Sequence, residues 1–358
     1  MGGTGTAAVD ARGAAVRREG RLNMARVAAA FGSSHSVMLA AELQDWLGGF
    51  RQSDLRMKYY DREGRPRSYA DVLAGAPPDI AQLITDEAIT GRFNGVQDAM
   101  KRLKSEIASA KLDVLIIVGD DQHELFQDQH MPSIGIYYGE SIRNAGRANA
   151  KRFTWPEEWY NRAQMRRFED DGDIDYPCHR PLALALIEGL IEREFDVAAV
   201  AGLGSDQHEG HAYSFVHRWY LKGNGARMLP VVPIFLNTYN PPNPPLPKRC
   251  VRLGKSLKEL IESYPEELRV GLVASGGLSH FVVEEDLDRA IIEALRRKDL
   301  DFLAGLDPRR LKAGSSEIRN WIVVASAAAD LDLSWISYTP SYRTPAGTGI
   351  GLAFARWS

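Results

Sequence analysis

An α/β fold is predicted, a single domain with a central, mostly buried mixed sheet covered by helices on both faces, and three features of the chain predict it. Short, nearly continuous apolar runs recur at Ala25–Phe31, Val114–Val118, Val197–Ala201, Val231–Leu236 and Val270–Ala274. Val/Ile/Leu runs of this length are what strands buried on both faces look like. The stretches between them, such as PLALALIEGLIERE (Pro181–Glu194) and LDRAIIEALRR (Leu287–Arg297), carry apolar residues at spacings of three and four, which is the period of a helix with one buried face. Strands alternating with helices argue for a sheet sandwiched between helical layers.

The composition narrows the classes of function. The chain has 358 residues, 44% hydrophobic and 25% charged, as in an ordinary globular protein. Its net charge of −3 gives no reason to expect a nucleic-acid or membrane partner. No apolar run reaches the roughly 18 residues of a membrane span. Cys178 and Cys250 are the only cysteines, so neither a disulfide framework nor a zinc-type cysteine cluster is expected, and a reducing, cytoplasmic setting is.

Residues 1–23 are rich in Gly, Ala and Arg and lack the apolar centre of a signal peptide. They read as a disordered extension, with Met24 a candidate natural start and residues 24–358 the catalytic domain. Within it, Glu140–Pro177 forms a charged helical insert containing RFTWPEEWYNRAQMRRF. Its Trp155, Trp159 and Tyr160 are expected mainly to pack the insert onto the domain, the alternative being a wall beside the site. Asn240–Arg249 (NPPNPPLPKR) is a proline-rich loop.

The turns after the runs carry the chemistry. Ala25–Phe31 is followed by GSSH, ending at His35, and Val114–Val118 by GDDQHE, with His123. Val197–Ala201 leads into GLGSDQHEGH, with His208 and His211, and Val270–Ala274 into SGGLSH, ending at His280. Five of the eight histidines thus lie just past the carboxyl ends of predicted strands, the edge at which open α/β sheets bind ligands. Two histidines and a carboxylate on one face of iron make the triad of non-haem Fe(II) oxygenases. Spacing does not nominate the carboxylate. Glu317 stands out locally, in AGSSEIRNWIVVASAAAD, where Ser315 or Ser316 can cap a helix; on pattern alone it serves the helix dipole.

The stretches ARVAAAFGSSH, LIIVGDDQHELF, GGLSHF, GSSEIRNW and TPAGTGIGLAF, in this order, resemble the protocatechuate 4,5-dioxygenase β-subunit family, the class III extradiol ring-cleaving dioxygenases. The likeness covers roughly Met24 to Trp357. Within that family it is strongest to the 3-O-methylgallate dioxygenases, whose strand-end motif GDDQHELF resembles. The resemblance implies an oxidoreductase that uses one Fe(II) and molecular oxygen to open a catecholic or gallate-type ring in aromatic catabolism. His35 matches the first ligating histidine, Glu317 the ligating glutamate, and His280 the acid/base near bound oxygen. Either His208 or His211 matches a further active-site histidine.

The second ligand departs from the family pattern. Ungapped alignment puts Gln122 in that slot, whereas ligand chemistry prefers the imidazole of His123 over a neutral amide. Successive strand residues point to opposite faces, so Gln122 and Glu124 would share one and His123 the other. Arg343 and Lys248 are candidate anchors for a substrate carboxylate, and Tyr213 a further substrate contact. A homo-oligomer is expected, with a small partner subunit as an open expectation. The rival readings are a same-fold metallohydrolase or lyase, a binding protein that has lost its iron, and a dioxygenase recruited to natural-product biosynthesis.

Overall fold

The computed structural model describes residues 24–150, 154–223 and 228–358, so the reading of residues 1–23 lies outside the described residues. Its centre is one nine-stranded mixed sheet. In chain order the strands are β1 (Arg26–Ser33), β2 (Val114–Asp120), β3 (Ile134–Tyr137), β4 (Ala198–Val200), β5 (Val231–Leu236), β6 (Arg269–Ser275), β7 (His280–Val282), β8 (Leu333–Tyr342) and β9 (Thr348–Trp357). They lie in the order β7–β9–β1–β6–β2–β5–β3–β4, with β8 on the far side of β9. The neighbours β1, β6, β2 and β5 are parallel, so their carboxyl ends open on one edge. Antiparallel pairing of β9 with β1, β7 and β8 closes one side.

Helices cover both faces, and for that reason the strands read as continuous apolar runs rather than alternating ones. The main helices are α1 (Asp86–Ser109), α2 (Glu158–Met165), α3 (Arg180–Glu192), α4 (His211–Val216), α5 (Pro247–Glu262), α6 (Glu285–Arg297) and α7 (Ile318–Ala327). Along β2, Val114, Ile116 and Val118 join the core beneath α3, α5, α6 and α7, whereas Leu115 and Ile117 join the core beneath α1 and α4. That is the two-residue alternation of a strand. Helix α6 starts with Glu285, Asp286 and Asp288 and ends with Arg296 and Arg297, charges that complement its dipole. Helix α7 is apolar nearly all round because all ten of its residues are buried.

Two close approaches set α7 in place. At Gly32 on β1 the Trp321 ring occupies the space a side chain would need, and its indole N–H donates to the Gly276 carbonyl at 2.7 Å. At Gly254 a Cβ would overlap the Val323 carbonyl oxygen of α7. Gly254→Ala is therefore expected to destabilise the protein by about 1–3 kcal/mol despite alanine's better helix propensity. A urea unfolding midpoint no lower than wild type would refute this packing.

The insert is only partly helical. Strands Ser141–Asn144 and Ile174–Pro177 pair antiparallel as its base, and α2 folds back over the segment that follows His35. Arg162 pairs with Asp45 at 3.0 Å and Arg166 with Glu42 at 2.6 Å. Trp159 packs on Phe50, with ring centres 4.5 Å apart.

Candidate metal centre

The parallel strands deliver their next residues to one place. His35 follows β1, Asp120 ends β2, His211 opens α4, His280 opens β7, and Glu317 immediately precedes α7. His35 Nε2 lies 3.0 Å from His211 Nε2, 3.5 Å from Asp120 Oδ1 and 3.5 Å from Glu317 Oε2. The other oxygen of Glu317 lies 3.4 Å from His280 Nε2.

The tautomers follow from the partners on the far side of each ring. Ser275 Oγ donates to the Ala212 carbonyl, so it accepts from His35 Nδ1 at 3.0 Å. His211 Nδ1 faces the Glu124 carboxylate at 2.6 Å, and His280 Nδ1 faces the Leu278 carbonyl at 2.8 Å. Neither acceptor carries a proton to give, so all three rings hold their proton on Nδ1 and, when neutral, aim a bare Nε2 at the shared space. Two lone pairs 3.0 Å apart repel unless a cation joins them. Asp120 Oδ1, fully buried, has no hydrogen-bond partner, an arrangement a native protein keeps for a reason. A divalent metal would supply one. His35, His211 and Asp120 each bring one donor atom to within 4.8 Å of the others, an imidazole and carboxylate set that suits iron, manganese or zinc.

The side chains of the cluster shift one another's proton affinities. Burial opposes an imidazolium at His211, but Glu124 and Asp120 outweigh it and raise the ring to about 9. His280 is also raised, by Glu317 against the cost of burial. Burial would push Glu317 up, yet His35 and His280 hold it well below the usual carboxylate range. Asp120 is pushed up, by burial first and by the charge of Glu317 second.

A cavity of about 190 Å³ opens beside His35 and His211. Gln122, Trp155, Tyr160, Phe215 and Trp219 line it. Of the insert's three rings, Trp155 and Tyr160 thus form wall and Trp159 forms packing.

Several residues singled out in the sequence are not brought to the cluster. His123 is corrected outward. The strand has ended at Asp120, and Asp121 closes the next turn by accepting from the Leu125 and Phe126 amides. His123 takes a left-handed φ of 62° and pairs with Asp128 on the surface at 2.8 Å. Gln122 stays at the cavity but donates to Asp120 Oδ2 at 3.2 Å. His208 turns toward the insert, edge-on to Phe168 at 4.9 Å, with Nδ1 on the Glu209 carbonyl. Tyr213 is buried and donates to the Gly119 and Ile234 carbonyls at 3.1 and 2.8 Å, a structural use that leaves no hydroxyl for a substrate. Arg343 is a buried partner of Asp54 at 3.0 Å, stacked over Phe50. Lys248 is exposed on the first turn of α5 and lines no part of the cavity.

Sequence reasoning missed Asp120. Asp120 had a signal, an acid that ends a fully apolar strand. His123→Ala is accordingly expected to change metal content and turnover less than about twofold, as surface changes away from such features do. A tenfold loss of either would return His123 to the site.

Residues 82–353 match the family described as the catalytic LigB subunit of aromatic ring-opening dioxygenase. Over 99 residues the chain is 35% identical to 2,3-dihydroxyphenylpropionate/2,3-dihydroxicinnamic acid 1,2-dioxygenase of Comamonas testosteroni, covering 28% of this chain and 29% of that relative. Over 104 residues it is 32% identical to gallate dioxygenase of Pseudomonas putida, covering 29% of each. The matched stretch thus spans less than a third of either relative's length. With most of its length under the family model, and with histidines and acids converging at the carboxyl edge of its sheet, this chain belongs to the class III extradiol, aromatic ring-opening dioxygenase family.

Proposed function

We propose that the protein is an Fe(II)-dependent extradiol dioxygenase that opens the ring of a catecholic or gallate-type aromatic with O2. The observation that carries this reading is the convergence of three imidazoles, each held at Nδ1 by its own partner, with His35 Nε2 facing His211, Asp120 and Glu317 and His280 Nε2 facing Glu317. His35, His211 and Asp120 would hold the ion, with Glu317 as a second carboxylate against His35. When bound, the ion would gather both phenolic oxygens and dioxygen at one centre. The names of the two relatives, a 2,3-dihydroxyphenylpropionate/2,3-dihydroxicinnamic acid 1,2-dioxygenase and a gallate dioxygenase, support the substrate class. No described helix is long and apolar enough to cross a membrane, and both cysteines are unpaired, which supports a reducing, cytoplasmic setting.

The chain's own residues then have defined tasks. His280, fixed through Nδ1–H to Leu278, takes a phenolic proton on Nε2 and later returns it, with Glu317 stabilising the imidazolium in between. Trp155, Tyr160, Phe215 and Trp219 give a flat apolar slot for one aromatic ring and keep water from the reacting face. The small cavity suits a single ring, below the range of pockets for drug-sized ligands.

The test is anaerobic loading with Fe(II), then addition of gallate-type catechols and oxygen. One metal per chain, stoichiometric oxygen uptake and a ring-opened product carrying both oxygen atoms are expected. Metal uptake without oxygen consumption would replace this reading with a same-fold hydrolase or lyase.

A further inference from the structure

The cavity contains a connected set of charges that the reaction as described does not use. Glu124 lies in the turn after β2, and its Oε2 is 2.6 Å from His211 Nδ1. Both of its oxygens also accept the His211 backbone N–H, at 2.9 and 3.0 Å. Arg167, in the insert, pairs with Glu124 Oε1 at 2.8 Å and lies over the Phe168 ring at 4.5 Å. The line therefore runs from the insert through a carboxylate and an imidazole to the shared space between His211 and His35.

Resting on the metal reading above, we propose that Glu124 and Arg167 are positioning residues for the ion, and that they act by fixing His211 as a ligand. A carboxylate on the far nitrogen of a ligating histidine sets its tautomer, fixes the ring plane and raises its basicity. Glu124 does all three here. Its grip on the backbone N–H anchors the first residue of α4, and its contact with Nδ1 orients the ring that α4 carries. Arg167, 2.8 Å from Oε1, fixes the Glu124 carboxyl group in place, so that Oε2 stays against His211 Nδ1. This gives a physical place to the departure at Gln122. That position carries an amide and braces Asp120, while His211, backed by Glu124, supplies the second imidazole. It also makes the insert part of the metal site, since Arg167 is set by the fold of Glu140–Pro177.

The experiment is a titration of the chelator-treated full-length protein with Co(II), followed by visible d–d absorption, so that affinity is read without turnover. Glu124→Gln keeps an acceptor for the backbone N–H but removes the charge at Nδ1, and is expected to weaken Co(II) binding about 10–100-fold. Glu124→Asp should recover part of that loss, and Arg167→Met should lower affinity by a smaller factor. In a His211→Ala background, Glu124→Gln should cost nothing further, because the ring it orients is gone. Wild-type affinity in Glu124→Gln, or an undiminished loss in the His211→Ala background, would overturn the proposal while leaving the metal reading intact. Absence of Co(II) and Fe(II) binding by the wild type would overturn both.

Discussion

His35→Ala is expected to empty the metal site and abolish ring opening. His35 Nε2 lies within 3.5 Å of a nitrogen of His211 and of oxygens of both Asp120 and Glu317. Removing it leaves two buried carboxylates without their shared neighbour, and the remaining donors cannot close the coordination set. Loss of an outer partner alone typically costs 10–100-fold in affinity, so loss of this ligand should exceed about 100-fold. Turnover should fall to background. Metal analysis after anaerobic Fe(II) loading checks the first point and oxygen uptake the second. The protein should still fold, since the void opens into the cavity and not into the core. Retention of stoichiometric iron in His35→Ala would mean that the ion sits elsewhere.

The second large effect separates chemistry from binding. His280→Ala should lower kcat by about 10²–10⁴-fold, the usual worth of a positioned acid/base, while iron content stays near wild type. The pH profile gives a further reading. A base must be neutral to accept a proton, and Glu317 raises His280 above the ordinary imidazole value. Wild-type kcat/KM should therefore rise with pH through that elevated value and fall away below it. In His280→Ala that acid limb should flatten. Unchanged turnover in the variant would reassign the base.

Much of this was legible in the chain because strand ends are legible. Five apolar runs became five strands, and His35, His211, His280 and Glu317 lie where the turns after them, or the cap of α7, deliver them. The second-ligand slot was harder. The expectation for His123 relied on ligand chemistry, which prefers an imidazole to an amide; it fails because Asp121 folds the backbone into a turn and His123 takes a positive φ that carries its ring outward. Asp120 was hidden by number, one acid among 47 Asp and Glu. Arg343 and Tyr213 look like binding groups in isolation; only the folded chain reveals Asp54 and the two carbonyls that occupy them. The hairpin of β8 and β9 was not anticipated either, because neither strand is one of the five apolar runs.

The contact between Trp321 and the bare backbone at Gly32 lies on the reverse side of the sheet from the substrate slot. Yet it governs how far apart the first histidine and the glutamate stand, since one follows β1 and the other precedes α7. Even a methyl group at position 32 would lever the helix away and stretch that span without altering any donor atom. The geometry of the proposed site is therefore tied to packing in the hydrophobic interior. A survey of such proteins by their ligands alone would overlook it.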